Sequence, residues 1–304
     1  MIVADLSAGE LRRRLTGPGL RIRVGPVAAE IRSSFDAVQA GLALHYAAHD
    51  VLTAGDFADF RVSVERPLGV RRWFAPQALF RFDGNSMFTP LPAAQAFPLL
   101  EWGLNWCVST HCHQYIVIHA AVLERNGRAL LLPAPPGSGK STLCAALVAR
   151  GWRLLSDELA LVELTGRRIV PFPRPISLKN RSIDTVARFW PDAAIGAVVP
   201  DTLKGSVAHV RPPVDSVRRG DEAATPGWVV LPRYESGAKT RISELSKAEA
   251  FMRLVESAFN YDIHGRAGFE ALAELVDASA CHAFTYGGAL DEAVGMFDRF
   301  AQAA

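Results

Sequence analysis

The chain predicts an α/β fold preceded by a smaller α+β segment, on three observations. Beyond Tyr115, apolar runs of strand length alternate with longer stretches of helical period, the pattern of a sheet packed against helices. Between one such strand and one such helix stands a glycine-rich turn, Ala134-Pro135-Pro136-Gly137-Ser138-Gly139-Lys140-Ser141-Thr142. Downstream, the apolar run Trp152-Arg153-Leu154-Leu155-Ser156 ends in two adjacent carboxylates, Asp157 and Glu158.

Residues 1–112 mix short alternating runs at 20–24, 60–64 and 78–82 with helical stretches at 34–46 and 93–108. They carry no catalytic motif, so an N-terminal α+β domain serving partner recognition or assembly is expected there. Residues 113–304 form the second unit. A strand at 115–123 and its return at 129–132 flank Asn126-Gly127, a dipeptide suited to the left-handed backbone of a tight hairpin. The glycine-rich turn then opens a helix that runs to Arg150, where Gly151 stops it, and 152–155 is the next strand. A second hairpin is expected at 159–164 and 168–172 around Thr165-Gly166. Strands at 228–231 and 241–245 precede helices at 247–259 and 265–276, and the chain closes with a strand at 280–286 and a helix at 290–300.

With 304 residues, 49% of them hydrophobic, the chain can bury a substantial core. Lys and Arg number 33 against 31 Asp and Glu, and no block of like charge occurs. Nucleic acid and anionic membranes are therefore not implied partners. No stretch of about 18 residues is free of charge and proline, and the N-terminus lacks a basic segment followed by an apolar one. These features lead us to expect a cytoplasmic protein without stable membrane insertion. Four scattered cysteines do not make a disulfide framework. Cys107, His111, Cys112 and His113 are of metal-ligand type, but no second ligand pair follows, which favours a buried helix end.

The turn at 134–142 is where the chemistry concentrates. Glycines let backbone N–H groups approach a phosphate at a helix N-terminus, where free donors and the helix dipole favour an anion. The amides of Pro136-Gly137-Ser138-Gly139 and the first turn through Thr142 are the expected cradle, Pro136 contributing only its backbone course. Lys140 is placed to reach the β- and γ-phosphates and the Ser141 hydroxyl to ligate Mg²⁺. Ala134 stands where the usual phosphate-loop pattern has its first glycine. The strand-end carboxylates suit a magnesium-side ligand and a proton acceptor for an attacking hydroxyl. His119, in Val117-Ile118-His119-Ala120-Ala121, is by itself a core histidine. Further along, Arg174, Lys179, Arg181, Lys204, His209 and Arg211 supply cations that phosphoryl transfer requires, with Arg174, Lys179 and Lys204 the best placed.

The order strand-histidine, hairpin, phosphate loop, helix and Arg153-Leu154-Leu155-Ser156-Asp157-Glu158 resembles the catalytic domain of HPr kinase/phosphorylase. The closest resemblance is to the HprK-related kinase A group, which occurs beside exosortase and exopolysaccharide loci and a PqqD-like small protein. Further runs that carry it are Pro173-Arg174-Pro175-Ile176-Ser177-Leu178-Lys179-Asn180, residues 201–209 and Tyr286-Gly287-Gly288-Ala289-Leu290-Asp291-Glu292-Ala293. The resemblance implies a fold like that of phosphoenolpyruvate carboxykinase and ATP and Mg²⁺ as cofactors. It makes Asp157 the base, Glu158 a magnesium-side carboxylate and His119 the residue that orients Asp157. It also implies a serine acceptor on a protein or peptide, a PqqD-like protein among the candidates, and a homo-oligomer. The glycine-rich Arg-Gly-Leu-Gly signature of the bifunctional enzymes is missing, which argues against phosphorylase activity. The expected activity is an ATP-dependent kinase; the alternative is a nucleotide-dependent switch or ATPase without a phosphoacceptor.

Overall fold

The computed structural model describes residues 1–53, 55–69, 74–135 and 137–303. Strands Leu20–Val24, Val27–Ser33, Phe60–Glu65 and Gln77–Phe82 pair in that order, and the short strands Asn85–Ser86 and Leu91–Pro92 both pair with Gln77–Phe82. Val27–Ser33 was not legible in the sequence because nearly every residue in it is buried. Burial of both faces removes the alternation that reveals a strand. Helices Ala8–Thr16, Asp36–His45 and Ala96–His111 accompany this sheet. Their apolar core also takes in Val117, Leu159, Leu161 and Phe172, so packing is continuous with the second sheet.

That second sheet has eight strands. Ile169–Val170, Leu159–Glu163, Tyr115–Arg125, Arg128–Pro133, Thr225–Tyr234, Ala280–Tyr286 and Arg241–Glu244 follow one another, and Arg153–Ser156 also pairs with Tyr115–Arg125. The expected hairpin is present, with Asn126 at φ 55° and Gly127 at φ 78°, the positive values that a two-residue turn between twisted strands requires. Arg128–Pro133, Thr225–Tyr234 and Ala280–Tyr286 run parallel, and the glycine-rich turn at 134–142 leaves from the C-terminal end of the first of them. Ligands in parallel α/β sheets bind outside these carboxyl ends. Helix Lys140–Ala149 follows the loop and buries seven of its ten residues, as expected of a helix that is apolar on all sides.

Lys179 and His209 lie on paired strands and Lys204 in the turn that joins two of them, so these stretches are not independent of each other. Ile176–Lys179, Gly205–Val210 and Val199–Thr202 form a separate antiparallel three-stranded sheet, followed or flanked by helix Arg181–Phe189. Strands of four to six residues beside Pro173 and Pro175 leave too short a pattern for sequence periodicity to register. Among the described residues, no helix is long and apolar enough to cross a membrane.

Candidate functional site

The glycine-rich turn is held by the ends of its neighbouring parallel strands. Tyr234 donates its backbone N–H to the Ser138 carbonyl at 3.0 Å, and the Tyr286 hydroxyl donates to the Gly139 carbonyl at 2.9 Å. Gly139 has φ 85°, and a Cβ there would stand 2.2 Å from the Tyr286 hydroxyl oxygen, so both conformation and space demand glycine. Gly137 has φ 89° but open space where a Cβ would be. The backbone is thus fixed on one side and open on the other. Ser141 and Thr142 are half-buried in the first turn of the helix. Pro136 lies outside the described residues.

Lys140 is 6% exposed, and its Nζ is buried without a hydrogen-bond partner. Burial lowers its pKa, opposed by the charges of Asp157 and Glu158. Asp157, only 3% exposed, accepts the Ser177 backbone N–H on Oδ2 at 3.0 Å, while Oδ1 has no partner. Burial pushes its pKa up to about 6, against the pull of Lys140. The hydroxyls of Ser138 and Ser177 are likewise buried and unpaired. Buried polar atoms are nearly always satisfied, so orphaned ammonium, carboxylate and hydroxyl groups around one loop are the signature of a site built for a polar ligand. A donor cradle with an ammonium fits a phosphate chain, and hydroxyl with carboxylate oxygens suits a hard divalent cation.

Glu158 is half-buried. Burial favours its neutral form, yet Lys179, Lys204, Lys140 and Arg174 outweigh this and hold the carboxyl below its ordinary range. Lys179 Nζ lies 4.0 Å from Glu158 Oε1. Lys204 sits with Nζ 5.0 Å from the centroid of the Trp102 ring, and burial lowers its pKa while Glu158 opposes. The tertiary fold therefore brings Lys140, Lys179 and Lys204 to the acidic pair.

His119 pairs in register with Leu159 and is half-buried. Burial, followed by the Lys140 charge, lowers its pKa to about 4, so it is neutral near pH 7. Among the described residues no hydrogen bond joins His119 to Asp157; the Ser177 amide holds that carboxylate instead. His209 is buried, 5.3 Å from the Phe97 ring, and neutral, whereas Arg181 and Arg211 are exposed. Cys107 and Cys112 are free and buried, and the His111 ring stacks on Phe82 at 4.9 Å. That segment is the packed end of a helix.

Arg174 differs most from expectation. Its Nη2 donates to Glu101 Oε2 at 2.6 Å and to the Glu101 carbonyl at 2.8 Å. Nε donates to the Tyr46 hydroxyl at 3.3 Å, and Nη1 to the Asn105 side-chain carbonyl. With the side chain 6% exposed, the guanidinium is committed to residues of the N-terminal segment rather than turned toward a phosphoryl group. Sequence reasoning missed Asn105, whose amide donates to Glu158 Oε2. The available signal was an amide between Leu104 and Trp106, one helical turn from Glu101 in a helix whose first twelve residues are otherwise apolar.

Residues 102–184 match the family model of ScmC, described as SynChlorMet cassette protein ScmC. The match runs from the second half of helix Ala96–His111 through His119, the glycine-rich turn and the acidic pair. Among solved structures, the HPr(Ser) kinase/phosphatase from Coxiella burnetii aligns with 62% of this chain and 99% of its own, at 12% identity and a TM-score of 0.28. No curated protein matches the chain.

Proposed function

We propose that this chain binds ATP with Mg²⁺ at the 134–142 turn and transfers the γ-phosphoryl group to a hydroxyl, a serine of a protein or peptide partner. The observation that carries this reading is the pair of orphaned buried charges: Lys140 Nζ and Asp157 Oδ1 lack partners, yet each acts on the ionisation of the other. A buried ion pair whose remaining protons and lone pairs lack hydrogen bonds is costly, and a bound phosphate chain with its cation offsets that cost for both. Ser141, Asp157 and Glu158 are the residues to hold Mg²⁺, which when bound neutralises charge on the phosphates.

The chain's own residues divide the remaining work. Amides of Gly137, Ser138 and Gly139 and the Lys140 ammonium hold the phosphates. Asp157 Oδ1 accepts the acceptor's hydroxyl proton as the hydroxyl oxygen bonds to the γ-phosphorus. The bond from that phosphorus to its bridging oxygen breaks, and the electron pair leaves with the diphosphate. Lys179 and Lys204 face the charge that spreads over the transferring group.

The test is incubation with γ-labelled ATP and Mg²⁺, with and without a candidate acceptor such as a PqqD-like protein, beside Lys140→Ala and Asp157→Asn. Transfer to a serine that both substitutions abolish is the expected result. ATP hydrolysis dependent on Lys140 but indifferent to Asp157 and to every acceptor would favour the switch.

A further inference from the structure

Helix Ala96–His111 belongs to the segment without a catalytic motif, yet one of its side chains bonds Glu158 and another lies against Lys204. The Asn105 amide nitrogen donates to Glu158 Oε2, and its carbonyl oxygen accepts from Arg174 Nη1. Arg174 is in turn fixed by Glu101 at 2.6 Å and 2.8 Å and by Tyr46 at 3.3 Å, and the Tyr46 hydroxyl donates back to Glu101 Oε1 at 2.8 Å. Three residues earlier on the helix, the Trp102 ring lies beneath Lys204. Residues three apart share a helix face. Trp102 and Asn105, together with Asp157, Glu158, Arg174 and Ser177, line one pocket.

The chemistry of this chain of contacts is directional. Arginine can only donate and an ionised carboxylate can only accept, so the residue between them must do both from a short side chain. Asparagine does, and its two partners fix which way the amide faces. With Oε2 held by Asn105, Glu158 is left with Oε1, which faces Lys179 at 4.0 Å. We infer that Asn105 is a positioning residue for Glu158: it sets the carboxylate orientation with which this site holds its divalent cation. The anchor, through Arg174 and Glu101, lies in the N-terminal segment. This inference rests on the nucleotide reading proposed above and adds to it a residue outside the loop and the acidic strand.

Carboxylates that ligate a metal are themselves held by hydrogen bonds, and loss of such a partner weakens metal affinity more than it weakens binding of the rest of the ligand. The test is calorimetric titration of the full chain with ATP, in EDTA and across a series of free Mg²⁺ concentrations, for the unmodified protein, Asn105→Ala and Lys140→Ala. In Asn105→Ala the Mg²⁺ concentration giving half of the Mg²⁺-dependent gain rises about tenfold or more, while ATP affinity in EDTA is unchanged. Lys140→Ala loses affinity in both buffers. Asn105→Ser, a single oxygen that cannot stand in both amide positions, gives the same shift should the alanine chain not fold. An Asn105→Ala or Asn105→Ser protein with the unmodified Mg²⁺ midpoint overturns the inference and leaves the nucleotide reading intact. Absence of ATP binding by the unmodified protein in either buffer overturns both.

Discussion

Replacing Arg174 by Met tests whether this arginine is scaffold. The substitution removes the partner of a Glu101 carboxylate that is 3% exposed and leaves that carboxylate only the Tyr46 hydroxyl at 2.8 Å. Uncompensated burial of one charge from such a pair costs about 3–5 kcal/mol. Both variants lose the bonds from Arg174 to Asn105, Tyr46 and the Glu101 carbonyl; the double substitution Arg174→Met, Glu101→Met also loses the Tyr46–Glu101 bond, about 0.5–1.5 kcal/mol, but no longer buries an unpaired carboxylate. The double variant is therefore more stable than Arg174→Met alone, by about 2–4 kcal/mol on these figures. Arg174→Lys does not restore stability, because a single ammonium cannot reproduce the fork. Urea denaturation followed by tryptophan fluorescence, compared at a common m-value, measures each change. A loss below about 1 kcal/mol for Arg174→Met, or a double variant less stable than the single one, refutes the reasoning.

Three further outcomes follow from the geometry. Gly139→Ala sets a Cβ 2.2 Å from the Tyr286 hydroxyl at φ 85°, while Gly137→Ala meets open space at φ 89°; the first lowers the melting temperature more than the second, whose cost is backbone strain of about 1–2 kcal/mol, and equal melting temperatures would contradict this. His45, His49 and His209 are each pushed by burial to about 4, below the unfolded value of about 6.5. At pH above 6.5 both states are neutral and contribute nothing; as pH falls from 6.5 toward 4 the unfolded chain gains protons that the folded chain does not. Each histidine then lowers stability by up to about 1.4 kcal/mol per pH unit, and a urea midpoint that stays flat from pH 7 to pH 5 would speak against it. Asn260 is 2% exposed and clips the start of a central strand, accepting from the Val117 amide and donating to the Tyr115 carbonyl, both at 2.9 Å. Asn260→Ala strands the Val117 amide, while the Tyr115 carbonyl keeps the His264 ring at 3.2 Å, and costs about 1–3 kcal/mol, measured by the same denaturation, with no detectable loss as the refuting result.

The parts of the site legible in the sequence are those whose cause is local. Gly139 and Gly137 are needed by backbone angles within a few residues of Lys140, and Asn126-Gly127 by the turn they make themselves. Asp157 and Glu158 could be read because they end an apolar strand, and strand, loop and helix follow one another without interruption. Composition and period dictated that much, since steric limits and hydrophobic alternation act over short stretches. What only the tertiary structure decided lies across large sequence separations. Asn105 reaches Glu158 over 53 residues and Arg174 over 69, and Ser177 rather than His119 holds Asp157. Arg174 looked like a catalytic cation for the same reason that Lys179 and Lys204 did, a positive side chain near an acidic strand. Their roles separate only when the fold buries one against Glu101 and leaves the others facing Glu158, because the worth of a charge is set by its partners and its distance from water, neither of which a linear pattern encodes.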